Sequence, residues 1–527
     1  MGGYSCTHNV NVLRKVFESA KCFIANNSKS FQWQVNSING YNSELTRMTA
    51  SLNSVSKNGY MQVLFSCFGL SLAIVFVSEA CMHWFMIPVL LCGMLLAKDA
   101  YDWFTWKVDV FNPLGIVAFL GLHFFYLAPI LHVCLDSWMR LVIPPTDWRP
   151  WLGYMGILNM ICLAIYKSIS GNKYFAQKAP LKTQWLLDER RFWFVCSIAL
   201  LITMLVQVYV YHSFGGILAY IHAYEDQSEA FRGMGWIFTI SEGFPILAFM
   251  AYAVIARKNP MFRSWSIIIL AIVLFLLART LFGGMRGSRG NIIWALFWAV
   301  GIIHFWIRPL NHKIIIPSLL FLVVFMYLYG LYKSHGVVAV NVLRNPLQAV
   351  ELADERGRTL DKILLGDLGR ADVQAYLLYS TLNPKNEYTY KWGATYVDSL
   401  MLLLPKSLRP DLVGKGEAGT EAQYGYYSEA FLSSRIYGMA GEAMLNWGIF
   451  SIPFAFVLYG LIMGKINHFA INIHKDDVRA LFVPFIINMG ISLLINDSDN
   501  FVFGFIKNGA VPSLVMLLSS KRIQGIS

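Results

Sequence analysis

The sequence predicts an all-α polytopic membrane protein, with about 12 transmembrane helices and one large, mainly helical loop on the outer (periplasmic) side. Three observations predict it. Charged residues make up 14% of the 527-residue chain, against about 25% in soluble proteins. Hydrophobic residues make up 56% and fall in long blocks, as a lipid environment requires. Lys and Arg collect in alternate loops, the asymmetry that orients a membrane protein.

Residues 1–59 are polar and carry Arg14, Lys15, Lys21, Lys29, Arg47 and Lys57. They lack the apolar centre of a cleavable signal peptide and read as a cytoplasmic tail. A spanning helix needs about 20 largely apolar residues. Nine such blocks fill 60–333: 60–79, 82–98, 112–134, 151–168, 191–211, 234–256, 264–282, 290–308 and 313–333. Residues 334–445 form the long outer loop. Three more blocks follow at 446–464, 477–495 and 500–519, ahead of a short tail at 520–527. The loops bearing Lys98 and Lys107, Lys167 to Arg191, Arg257 to Arg263, Arg308 and Lys313, Lys465 to Arg479, and Lys521 and Arg522 all fall on one side. That side is cytoplasmic by the positive-inside rule, and both termini lie on it.

Within the long loop, Asp367 to Leu382 predicts an amphipathic helix with Leu368, Val373, Tyr376, Leu377 and Tyr379 facing inward. Trp392 to Pro405 is apolar but too short to span, which suits a helix at the membrane surface. Gly414 to Thr420 reads as a flexible turn, and Gly438 to Ala443 leads into the tenth block.

A net charge of +12 fits basic loops facing anionic lipid, and no nucleic-acid motif accompanies it. The eight cysteines all precede residue 200, so the long loop has no disulfide framework. No Cys/His group has the spacing of a zinc site, and no cofactor is expected.

The segment Arg279 to Gly290 holds three arginines and four glycines in a loop placed outside, where short loops usually lack bases. Glycine lets the backbone approach an anion, and the guanidinium fork matches phosphate oxygens. Arg279, Arg286 and Arg289 are therefore candidates for a diphosphate. The alternative is a tight turn resting on lipid headgroups, with Arg279 snorkelling to the interface. Arg370, Lys406, Arg409 and Arg435 are further candidate bases beside elements that touch the membrane surface; a solvated face is the competing reading. Glu442 lies near the outer boundary, where burial would raise its pKa and fit it to take a proton from a sugar hydroxyl. A helix-terminal acid is the competing reading. Asp499, in the turn Asn496 to Asn500, is the second candidate base, although turn chemistry alone explains that run. His335 is a weak acid–base candidate. Tyr424, Tyr426, Tyr427 and Trp392 offer faces for sugar rings, or fill the loop's own core.

Taken together, these features resemble a bacterial O-antigen or oligosaccharide repeat-unit polymerase of the Wzy type. The resemblance rests on Phe111-Asn112-Pro113, on the Arg-Gly-Ser-Arg-Gly segment, and on the single late outer loop. It also rests on Leu402 to Pro410, and on Gly441-Glu442-Ala443 followed by Asn446-Trp447-Gly448. It covers roughly residues 110 to 500 in layout. It implies a GT-C-like glycosyltransferase of the bacterial inner membrane. Such an enzyme transfers a growing glycan from polyprenyl (undecaprenyl) diphosphate onto a lipid-linked repeat unit, with inversion. It would serve surface polysaccharide synthesis: O-antigen of lipopolysaccharide, common antigen or capsule. Implied partners are the polyprenyl-diphosphate-linked oligosaccharides, membrane lipids and, as a further partner the resemblance admits, a chain-length regulator protein. An O-antigen ligase and a lipid-linked oligosaccharide flippase are the alternatives.

Overall fold

The computed structural model describes residues 61–524, apart from 77, 140, 180, 226–233, 284–288, 315, 319, 323, 326–327, 330–364, 367–368, 384–387, 405–407, 411 and 426–434. The predicted tail 1–59, His335, Leu368, Lys406, Tyr426 and Tyr427 lie outside the described residues.

The described residues are mostly helical. Among the described residues, seven helices are long and apolar enough to cross a membrane: α3 (Pro113–Cys134), α4 (Arg149–Ser170), α5 (Glu189–Ser213), α6 (Gly235–Lys258), Gly290–Ile307, α13 (Ser451–Asn472) and α15 (Ser498–Ser519). Shorter apolar helices are α1 (Met61–Phe76), α7 (Trp265–Leu281), His312–Leu322 and α14 (Val483–Ile495). Met86–Phe104 (α2) covers the block at 82–98. Each apolar block thus overlaps a helix, except that the block 313–333 lies partly outside the described residues and the block 446–464 crosses the gap between Trp447 and Ser451.

Local signals set many of the helix starts. Asn112 accepts the Gly115 N–H at 2.8 Å, and Pro113 follows in the first turn, so α3 starts there. Asp188 caps α5 by accepting from the Arg191 N–H. α6 is interrupted between Ser241 and Phe244, where Glu242 and Gly243 separate its two pieces. α8 (Arg289–Ile302) continues through a π-turn to Ile307.

Packing follows the rule for helices in lipid, where small residues let backbones approach. α4 and α13 lie against each other, with the Tyr166 and Tyr459 rings 5.2 Å apart. At Gly460 an added Cβ would stand 3.0 Å from Ile169, and at Gly464 it would stand 2.5 Å from the Phe175 ring. Leu201, Leu205 and Val208 of α5 and Leu270, Leu274 and Leu277 of α7 are exposed, the pattern of a lipid-facing belt.

The bundle has two distinct ends. At one, Lys167 pairs with Asp99 (2.9 Å), Arg479 with Asp477 (2.6 Å), Lys521 with Asp188 (2.8 Å), and Arg257 and Lys258 with Asp476 and Glu189. β1 (Thr183–Leu187) and β2 (Ser520–Gln524) form a two-stranded antiparallel ribbon at this same end. The basic loops singled out by charge therefore meet one another here. The opposite end carries α9 (Ala371–Leu382), α10 (Ala394–Met401), α11 (Lys415–Tyr424) and α12 (Gly438–Trp447).

Three of these four elements differ from the sequence expectation. The predicted helix 367–382 is helical from Ala371, with Tyr376 and Leu377 buried as expected. The predicted surface helix shortens to α10, since Trp392 adopts φ 49° and Gly393 φ 90° before it starts. Gly414 to Thr420 does not form a flexible turn: α11 runs through it. Tertiary packing overrides the low helix propensity of glycine, because an added Cβ at Gly419 would meet the Tyr437 hydroxyl at 2.2 Å. α12 is a separate element, ended by Gly448 at φ 76°, and α13 starts only at Ser451.

Candidate functional site

Two polar clusters lie at the end that carries α9 to α12, and α15 contributes to both. The first lies where α12 meets the start of α15. Glu442 is 1% exposed. Its Oε1 accepts from the Thr395 hydroxyl (2.8 Å) and the Ser498 hydroxyl (2.5 Å), and its Oε2 accepts from the Ser498 N–H (2.6 Å). Asp497 returns the arrangement: its Oδ1 accepts from Tyr437 N and Gly438 N, each at 2.8 Å. Each carboxylate thus caps the helix that the other one belongs to or precedes. Helix N-termini present free N–H groups and a positive dipole end, which is why acids fit both places.

Asn446 closes the network by donating to the Thr395 hydroxyl (2.8 Å) and accepting from Gly393 N (2.9 Å). Ser399 shares a hydrogen bond with Ser498 at 2.6 Å. Lys415 reaches in from α11, with Nζ 3.1 Å from Asp497 Oδ2 and 3.7 Å from Asp499 Oδ2, and donates to the Arg435 carbonyl at 3.0 Å.

Burial dominates the electrostatics here. It pushes the Glu442 carboxyl above its usual range, against the lowering by hydrogen bonds from Ser498 and Thr395. It pushes Asp497 up to about 7, against the lowering by Lys415 and assisted by the charge of Glu442. Asp398 is also raised by burial, with Arg409 opposing. Asp499 is the open member, its side chain 31% exposed beside Lys415.

The second cluster lies where α6, α7 and α15 meet, around Glu242. Arg279 is 2% exposed. Its Nη2 lies 3.1 Å from Glu242 Oε2 and 3.2 Å from Asn508 Oδ1, its Nη1 donates to the Glu242 carbonyl (3.0 Å), and its Nε donates to the Asn291 carbonyl (3.1 Å). Lys507 Nζ is 3.1 Å from the same Glu242 oxygen and 3.2 Å from Asn291 Oδ1. One carboxylate therefore faces two cations. Gly283 is required beside it, since a Cβ there would stand 2.5 Å from the Glu242 carboxyl carbon. Ser498 and Lys507 are nine residues apart on α15, about 13 Å along its axis.

The remaining candidates are dispersed. Arg286 lies outside the described residues, and Arg289 is the first residue of α8. Arg370 is 8% exposed, and its Nη1 donates to the Gly366 (3.0 Å) and Gly369 (2.5 Å) carbonyls. Arg409 donates to the Leu404 (2.9 Å) and Leu402 (3.2 Å) carbonyls and so fixes the turn after α10. Tyr424 ends α11, half-buried, and Arg435 precedes Tyr437. Among the described residues, no group of three or more His, Cys, Asp or Glu side chains is placed to hold a metal ion.

Sequence reasoning missed Glu242, Lys507, Lys415 and Asp497. For Glu242 and Lys507 a signal existed: each is an ionisable residue inside an apolar block, and such residues seek a partner. Lys415 and Asp497 stand in polar runs, where nothing in the sequence separates them from solvated neighbours.

Compared with known proteins, the chain matches no family model, no curated protein and no solved structure.

Proposed function

We propose that the protein is a polysaccharide polymerase of the bacterial inner membrane, a GT-C-like enzyme with twelve crossings and both termini in the cytoplasm. It transfers a growing glycan from polyprenyl diphosphate onto a lipid-linked repeat unit. The observation that carries this reading is the pairing of two clusters along α15. One is cation-rich and surrounds Glu242; the other is acidic and lies at the helix start. In this reading the end with α9 to α12 faces the periplasm.

Each cluster has a task in such a transfer. Arg279, its fork already engaged by Glu242, Asn291 and Asn508, anchors the turn that presents Arg286 and Arg289 to the donor diphosphate. The acceptor hydroxyl attacks the anomeric carbon from the face opposite the diphosphate. Its proton passes to Asp499, the acid open to solvent. The bond to phosphate breaks, and polyprenyl diphosphate leaves with the electron pair, its growing charge met by the arginines. Glu442 holds Ser498 and Thr395, and so fixes where α15 starts beside Asp499.

Reconstitution of the purified protein in proteoliposomes with a lipid-linked repeat unit tests this. A ladder of lengthening products is expected. One-step transfer to a different acceptor would make it a ligase, and movement of the lipid without new bonds would make it a flippase. Arg286→Ala and Arg289→Ala each lower ladder formation by about 100-fold, the cost of losing one donor to a developing anion, while melting as the wild type does. Unchanged polymer yield in both variants would remove the turn from the site.

A further inference from the structure

Two thiols stand face to face where the start of α2 meets the end of α3. Cys81 closes the short 3-10 turn Glu79–Cys81 just before α2, and Cys134 is the last residue of α3. Their sulfurs are 3.1 Å apart, across 53 residues of chain. A disulfide bond is about 2 Å long, so closing this gap needs a shift of about an ångström. Cys92, by contrast, donates its thiol to the Gly156 carbonyl at 3.5 Å.

The surroundings hold both residues in place. Arg149 reaches the Ala80 carbonyl at 3.5 Å, next to Cys81. Beyond Cys134, Trp138 stacks between Trp148 (4.8 Å) and His132 (5.6 Å). Cys81 packs in one apolar cluster with Ala371 and Ala375 of α9, and His132 lies 3.5 Å from Asp372. The pair therefore stands at the end that carries the extramembrane helices, directly under α9.

We infer that Cys81 and Cys134 form an intramolecular disulfide that fastens the start of α2 to the end of α3 beneath the extramembrane helices. This does not depend on the proposed glycan chemistry. The reaction is exchange with a disulfide donor, either a small-molecule disulfide or the disulfide of an oxidoreductase. The half-buried Cys134, as thiolate, attacks one donor sulfur and releases the other as a donor thiolate. Cys81, also as thiolate, then attacks Cys134 Sγ and releases the second donor thiolate. The chain loses two electrons and two protons, and the donor gains both.

Cells expressing the full chain are quenched in acid, and the protein is denatured and labelled with a maleimide. The chain has eight cysteines. The expected result is six labels without reduction and eight after it, with one reducible peptide pair joining Cys81 to Cys134. Cys81→Ser and Cys134→Ser should each give seven labels whether or not the sample is reduced. If either variant fails to accumulate, the wild-type peptide map decides alone. Eight labels before reduction in quenched cells, or a disulfide joining two chains in place of the internal pair, would overturn the inference.

Discussion

At Asp497 a carboxylate with two backbone N–H donors and a nearby ammonium still has its pKa raised, because the side chain is buried beside Glu442 and Asp499. The folded protein then holds a proton on Asp497 that the unfolded chain has already released between about pH 4 and about pH 7. Stability from this group is therefore greatest at the acid end of that window and declines as pH rises through it. Wild-type protein should lose melting temperature relative to Asp497→Asn between about pH 5 and about pH 7, and the difference should level off above. Parallel curves would show that Asp497 is ionised throughout. The Glu242–Arg279 pair gives a second test at this scale. Removing one partner of a buried ion pair costs about 3–5 kcal/mol, so Arg279→Met should destabilise by that order in detergent melts. Adding Glu242→Gln should deepen the loss, because it takes away the carboxylate that still pairs with the buried Lys507 ammonium. Arg279 was legible in the sequence as a charge inside an apolar block. Its partners were not, because Glu242 and Asn508 lie 37 and 229 residues away.

At the scale of elements, apolar block length located the helices well and the turns poorly. The blocks were legible because lipid demands them whatever the packing. α11 was not, because its glycines are tolerated only where Tyr437 presses on Gly419. The break in α6 was likewise hidden, since Glu242 and Gly243 are set by partners on α7 and α15. The close crossing of α4 and α13 is a further element-scale feature. Gly464→Val would place its Cβ 2.5 Å from the ring of Phe175, on the short helix that follows α4. Overpacking of this kind costs about 1–3 kcal/mol. A lowered melting temperature is expected, with recovery on adding Phe175→Ala. An unchanged melt would mean that Phe175 moves aside without cost.

For the whole molecule, the charge asymmetry of the loops predicted which of them share a side, and the ion pairs gather those same loops at one end. A single cysteine introduced at Ser288, in a background where the native cysteines are serine, should react with a membrane-impermeant maleimide in intact, outer-membrane-permeabilised cells. Labelling only after the inner membrane is opened would place the glycine–arginine turn in the cytosol and remove its access to a periplasmic substrate.

The ribbon of Thr183–Leu187 with Ser520–Gln524 also bears on how the chain is assembled. The first strand emerges from the ribosome more than three hundred residues before its mate. Until then it waits with unsatisfied backbone groups, an open edge of the kind that invites pairing with another chain. Lys182 before it, and Asp188, Arg190 and Arg191 after it, flank that edge with charge, a common deterrent to unwanted partners during the wait.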